Sequence, residues 1–290
     1  MYFFYCLAAE ERKLDSTCFD KMEVKLEEDK DESRPLAAHA NKQNQDKLVN
    51  IKTLIDTSND VNDFIQKLEA ITPRQLDQIS TRTIGQGDNP RWRFYRTAII
   101  TGSLVKRVSS AVDKHQDNPK LNDAISKLNI CELNIPAIVW GREHEKDGVT
   151  AFYEQHQKLH KQLKIFEVGL KLDPTLKILG GSADAKGLCE ECGKFLIEIK
   201  CSYKFKDTSI LQRWRELPYL TDKCELKPNH AYYYQVQTYL GLHGYEFCYF
   251  VVWVPADILV VKVHFDEVLW DKIKHDARYY YYNFYLKHFI

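Results

Sequence analysis

A strand-forming run with charge on one face constrains this chain more than any other feature. Residues 193–201 read Gly-Lys-Phe-Leu-Ile-Glu-Ile-Lys-Cys. Side chains alternate along a strand, so Glu198 and Lys200 share one face while Ile197 and Ile199 share the other. Upstream, Gly-Gly-Ser-Ala-Asp ends at Asp184, fourteen positions before Glu198. If a neighbouring strand brings Asp184 alongside, two carboxylates and a lysine surround one small volume. Such a set suits a hard divalent cation held by oxygens, beside a lysine that orients water or neutralises a phosphoryl oxygen. A solvated strand face has the same spacing, and buried charge is costly without partners. The neighbouring segments have to decide between the two.

The chain has 290 residues, enough for one large domain or a domain plus an extension. Apolar residues make up 44% and aromatics 12%, ample for a core. Eight cysteines without regular spacing read as reduced thiols rather than a disulfide framework. The apolar start, Tyr2 to Ala9, lacks a basic leader and runs into Glu10 and Glu11, which argues against a signal peptide. No stretch is long enough to span a bilayer. The expected location is intracellular, nuclear or cytoplasmic, and not secreted. Net charge is zero, so affinity for nucleic acid would have to come from local patches. Residues 1–35 carry ten acidic against six basic residues, which leaves the remainder net positive.

Texture divides the chain into 1–80, a charged and partly helical or disordered extension, and 81–290, a denser domain. Helices are predicted over Val61–Ala70 and Pro73–Ile79, from Ser103 through Ala111, and from Pro136 to about Gln157. Short strands follow from Lys164 to Lys200. A helix over about 230–242 precedes strands at 246–254 and 258–264, and a last helix begins near Asp266. The expected class is α/β (α+β), with a mixed central sheet flanked by helices.

Three further segments carry chemistry. In the Pro136 helix, Glu145 falls on a stripe with Ile138, Val149 and Phe152, whereas Glu143 shares its face with Asp147 and Thr150. An acid in an apolar stripe needs a partner, and a metal ion would serve; a stripe-edge glutamate reaching water fits the helix equally. His144 is read as structural or exposed. In His-Ala-Tyr-Tyr-Tyr-Gln-Val-Gln, Gln235 points inward with Ala231, Tyr232 and Leu242, and a buried amide needs hydrogen-bond partners. A lysine, a metal-bound water or a phosphate would qualify, and so would ordinary packing. Finally, Gln-Gly-Asp-Asn-Pro leads into Arg91, Arg93 and Arg96 and then Ile-Thr-Gly-Ser. Forked arginine donors before a helix start at Ser103 make a plausible phosphate clamp.

Together and in this order, QGDNPRWRFYRTAIITGS, WGREHEKD, GGSADAKG, IEIKC and YYYQVQ resemble the phage lambda exonuclease or YqaJ-like viral recombinase family, within the PD-(D/E)XK nucleases. The resemblance covers roughly residues 83–290 and implies a restriction-endonuclease-like core. It implies that Asp184, Glu198, Glu145 and the Ile199 carbonyl bind metal, Mg2+ with Mn2+ able to substitute. Lys200 would be the catalytic lysine and Gln235 the glutamine that closes the site. Arg96, Ser103 and Ser182 match positions around a terminal phosphate, with Arg91, Arg93 and Tyr232 as further DNA contacts. The implied activity is hydrolysis of DNA without sequence specificity, 5′-to-3′ from duplex ends, in recombination or repair. A homo-oligomer and a single-strand-annealing partner belong to the same expectation, and a membrane does not. Two departures are visible: Ala183 stands where the motif has proline, and Ser202 follows Cys201 where proline is usual.

Two rival readings come from other classes. One is a catalytically inactive DNA-binding module of the same fold, against which the intact Asp184, Glu198 and Lys200 speak. The other is a structural zinc site built from Cys189, Cys192, Cys201 and Cys224. That set lacks a matching second CxxC, and Gly193 suits a hairpin turn instead. Tyr279 to Tyr282 are read as core and interface rather than a base-stacking platform.

Overall fold

The computed structural model describes residues 50–114 and 135–290. The expectations for residues 1–49 lie outside the described residues. In chain order, α1 (Ile51–Asp56), α2 (Val61–Glu69), α3 (Pro73–Arg82) and α4 (Pro90–Arg96) precede β1 (Ile100–Thr101) and α5 (Gly102–Lys114). Next come α6 (Pro136–His156), β2 (Lys164–Phe166), β3 (Lys171–Leu172), β4 (Leu179–Gly181), β5 (Ala185–Cys189) and β6 (Gly193–Cys201). The last are α7 (Ile210–Arg213), α8 (Ala231–His243), β7 (Phe247–Val254), β8 (Asp257–His264) and α9 (Glu267–Tyr280).

Local signals set the boundaries. Asp60 caps α2 by accepting from the Asp63 N–H at 2.9 Å, and Thr72 forms a reciprocal capping box with Gln75 on α3. Asp266 caps α9 through the Leu269 N–H at 3.0 Å. Gly244, at φ 65°, ends α8 in the left-handed conformation that glycine adopts without penalty.

The main sheet has the order β2-β5-β6-β7-β8, and a smaller one has the order β1-β4-β3. β5 and β6 form an antiparallel hairpin in which Ala185 faces Ile197. Its turn spans residues 190–192, and Gly193 at φ 64° lets the chain re-enter the strand. β6 runs parallel to β7, and α8 lies on the connection between them. All eight residues of β7 are buried, as expected of a strand covered on both faces. Leu196 joins a core with Leu240 and Phe250 on the α8 side. Ile197 and Ile199 join Phe152 and Val251 in a second core on the α6 side. The face bearing Glu198 and Lys200 is therefore roofed by α8. This is the mixed α/β architecture, a central sheet flanked by helices, that the sequence pattern predicts.

Several details differ from expectation. The run Pro90 to Arg96 is a helix rather than a loop, capped by Asn89, which accepts from the Arg91 N–H at 3.0 Å. α5 begins at Gly102, so Ser103 lies in its first turn, paired with Thr101 Oγ1 at 3.1 Å instead of capping. Ile138 is exposed, as are Pro136 and Ala137 beside it in the first turn of α6. α1 to α3 contribute Ile51, Ile55, Phe64 and Ile79 to the same core as α8 and α9. Tyr280 and Tyr281 are buried, and the Tyr281 hydroxyl donates to the Ala98 carbonyl at 2.7 Å.

Candidate active site

β6 places Glu198 and Lys200 side by side on one face. Glu198 is 1% exposed, and its Oε1 accepts from the Lys200 ammonium and from Gln235 Nε2 at 2.8 Å. Its Oε2 is buried with no hydrogen-bond partner. The loop between β4 and β5 delivers Asp184 to the neighbouring position, where Oδ2 accepts from the Ile199 N–H at 2.6 Å. α6 brings Glu145 into electrostatic range of both acids.

Three carboxylates thus face one ammonium. The Asp184 charge, then burial, then Glu198 push Glu145 up to about 8. Burial and Asp184 push Glu198 up as well, against the pull of Lys200. Burial opposes the Lys200 charge, but Glu198 and Asp184 outweigh it and hold that pKa above the usual lysine range. Excess negative charge and an orphaned buried carboxylate oxygen are what a divalent cation would relieve, so the donors fit one. The three acids are not within 4.8 Å of one another as a set, wider than one ion's inner shell.

The roof of the site comes from α8. Gln235 Nε2 also reaches the Tyr239 hydroxyl at 2.9 Å. The Tyr239 ring occupies a slot left by two glycines: a Cβ on Gly102 would lie 2.5 Å from it, and one on Gly181 2.4 Å. Lys200 Nζ lies 5.1 Å over the Tyr232 ring. Gln235 therefore finds a carboxylate and a tyrosine as partners.

The loop carrying Asp184 is held by the Gln-Gly-Asp segment and α4. Gln86 Nε2 donates to the Ala183 carbonyl at 2.7 Å, and Trp92 Nε1 donates to Ser182 Oγ at 2.9 Å. Arg96 stacks on Trp92, its guanidinium 3.9 Å from the ring centroid, with Nε buried and unpartnered. Burial pulls the Arg96 pKa down. Ser182 and Arg96 thus share Trp92 as a neighbour, and Ser103 is exposed in the first turn of α5. Arg91 and Arg93 are exposed on α4, and Arg93 Nη2 donates to the Gly87 carbonyl at 3.2 Å. His144 pairs with Asp147 at 2.7 Å and stacks on Trp253.

Sequence reasoning missed Tyr239, Gln86 and Trp92. Tyr239 was findable, because it stands four residues after Gln235 on the same helix. Gln86 and Trp92 act across 97 and 90 residues, a distance no local pattern encodes. The four-cysteine set does not assemble. Cys201 sits at the opposite end of β6 from the turn, about 25 Å along a strand of this length. Cys224 packs against the core on the other face of the sheet.

A mixed sheet carrying an acid on one strand end and Glu-x-Lys on the next, roofed by a glutamine helix, defines the nuclease fold anticipated from the motifs. Residues 91–246, more than half of the chain, match the YqaJ-like viral recombinase domain, and the protein belongs to that family. No curated protein sequence matches it significantly. Among solved structures it is similar to LHK-Exo from Laribacter hongkongensis in complex with dAMP, at 21% identity and TM-score 0.51 over 68% of this chain and 92% of that one. It is also similar to SOX of the Kaposi's sarcoma-associated herpesvirus in an RNA complex, at 13% identity and TM-score 0.50 over 77% of each chain. Among the described residues no helix is long and apolar enough to cross a membrane.

Proposed function

We propose that the protein is a Mg2+-dependent deoxyribonuclease that degrades duplex DNA from 5′ ends without reading sequence, in recombination or repair. The observation that carries the reading is the buried Glu198, shared by Lys200 and Gln235 with one oxygen left orphaned beside Asp184. Family membership supports it. Residues 81–290 would carry the chemistry, with α1 to α3 buttressing it.

Asp184 and Glu198, with the Ile199 carbonyl, would hold the ion, and Glu145 would act through water or a second ion. An ion held by these residues, Mg2+ or Mn2+, would supply Lewis acidity toward a water and offset charge at the phosphodiester. Lys200, kept protonated by its acids, orients that water for in-line attack and stabilises the developing phosphoryl charge. Gln235, steadied by Tyr239, fixes the free rotation of the Glu198 carboxylate. Arg96, oriented by Trp92, is suited to a terminal phosphate, with Ser182 on the same Trp92, and Ser103, Arg91, Arg93 and Tyr232 would be further contacts. Contacts of this kind position a backbone and leave bases unread.

The test is digestion of linear duplex DNA labelled at either end, with Mg2+, with EDTA and with Lys200→Ala, alongside single-stranded DNA and RNA. The expected result is metal-dependent loss of the 5′ label, abolished in the variant. DNA binding without cleavage under every condition would replace the enzyme with an inactive DNA-binding module. Preferential loss of RNA would change the substrate, and loss of the 3′ label first would reverse the polarity. Sedimentation of the DNA-bound form would read out a homo-oligomer.

A further inference from the structure

Where the β5–β6 hairpin turns, its tip meets the chain just beyond α6. Cys189 Sγ lies 3.4 Å from His160 Nδ1, and Cys192 Sγ lies 3.3 Å from the same nitrogen. All three donor atoms fall within 4.8 Å of one another, the one such His, Cys, Asp or Glu group among the described residues. Cys189 is buried, and none of the three takes part in the proposed cleavage chemistry. We propose that His160, Cys189 and Cys192 form a structural zinc(II) site that clamps the hairpin to the C-terminal end of α6.

The separations suit an ion shared by the three donors. Zinc at about 2.3 Å from sulfur and about 2.0–2.1 Å from nitrogen, with tetrahedral angles, spaces those donors about 3.5 Å apart. Both observed Sγ to Nδ1 distances lie close to that figure. The turn also supplies the outer layer that thiolate ligands need. The Cys192 N–H donates to Cys189 Sγ at 3.3 Å, and the Tyr249 hydroxyl lies 3.4 Å from Cys192 Sγ. Glu191 Oε2 sits 3.9 Å from His160 Nδ1, anchored by the Lys161 N–H at 3.0 Å, and water would take the fourth position. Two thiolates and an imidazole select zinc over the oxygen-seeking ions suited to the carboxylates. The clamp ties the two elements that carry acids, since β5 and β6 flank Asp184 and bear Glu198 while α6 bears Glu145.

The experiment uses the full chain, expressed with zinc, washed in metal-free buffer and assayed by elemental analysis and by cobalt(II) substitution. About one zinc should remain per chain, and cobalt should give the thiolate charge-transfer band of a tetrahedral site. Cys192→Ser and His160→Ala should each weaken zinc binding by more than about a hundredfold. Asp184→Asn and Cys224→Ser should retain it. Zinc that follows Asp184 rather than Cys192 would overturn the proposal, as would a Cys189–Cys192 disulfide in the purified protein or the absence of zinc altogether. If Cys192→Ser fails to fold, the cobalt spectrum of the unaltered chain decides.

Discussion

Around Glu198, charge and hydrogen bonding can be separated one residue at a time. Asp184 is a proposed ion ligand, whereas Lys200 is the cation that offsets the acids. Added Mg2+ or Mn2+ should therefore raise the thermal midpoint of the protein, through binding to the folded state alone. Asp184→Asn should abolish that rise in differential scanning fluorimetry. Lys200→Met should keep it while lowering turnover at least about 100-fold. Tyr239→Phe removes one acceptor from Gln235, a loss of roughly 1 kcal/mol. Steady-state kinetics should show kcat down about fivefold with KM unchanged. At this scale the sequence was informative where chemistry demands rare residue types in one order, as with Asp184, Glu198 and Lys200. It was silent on Trp92 and Gln86, whose role is to hold the backbone and side chain just before Asp184 from a remote part of the chain.

Elements whose pattern agrees with their environment were readable: β6 from its alternation, α6 from its proline start, α9 from its aspartate cap. α4 escaped because seven residues make too short a window for periodicity, and its basic and aromatic residues imitate a binding loop. The inward face of α6 was legible at Phe152 and not at Ile138, since amphipathic spacing gives an apolar stripe but not how much of its length is covered. Contact between α6 and β6 depends on Gly148, where a Cβ would come within 2.4 Å of Ile199 Cγ2. Gly148→Ala should destabilise the fold by about 1–3 kcal/mol through overpacking. It should also reduce cleavage beyond what lost folding explains, because Glu145 shifts with the helix. Urea unfolding and single-turnover cleavage of the same preparation would separate the two effects.

Over the whole molecule, one core unites helices from both ends of the described chain; the Phe64 and Tyr281 rings stack at 6.3 Å. Stability should accordingly respond to groups far from the acids. His243 Nε2 is buried without a partner, and burial, followed by Lys171 and Lys186, depresses its pKa to about 3. An unfolded histidine titrates near about 6.5, so between these values the unfolded chain binds the extra proton. The stabilisation is complete above the unfolded pKa and is lost as pH falls toward the folded one, by at most about 1.4 kcal/mol per pH unit. Urea midpoints at pH 7 and pH 5 should differ less in His243→Gln than in the unaltered protein. The slot that holds Tyr239 carries a different consequence. Gly102, Gly181 and Tyr239 come from α5, β4 and α8, and neither glycine can gain a side chain while Tyr239 keeps its ring. In a library randomised at all three positions, alanine at either glycine should be recovered only beside a smaller residue at 239. These three positions should therefore be inherited as a single unit.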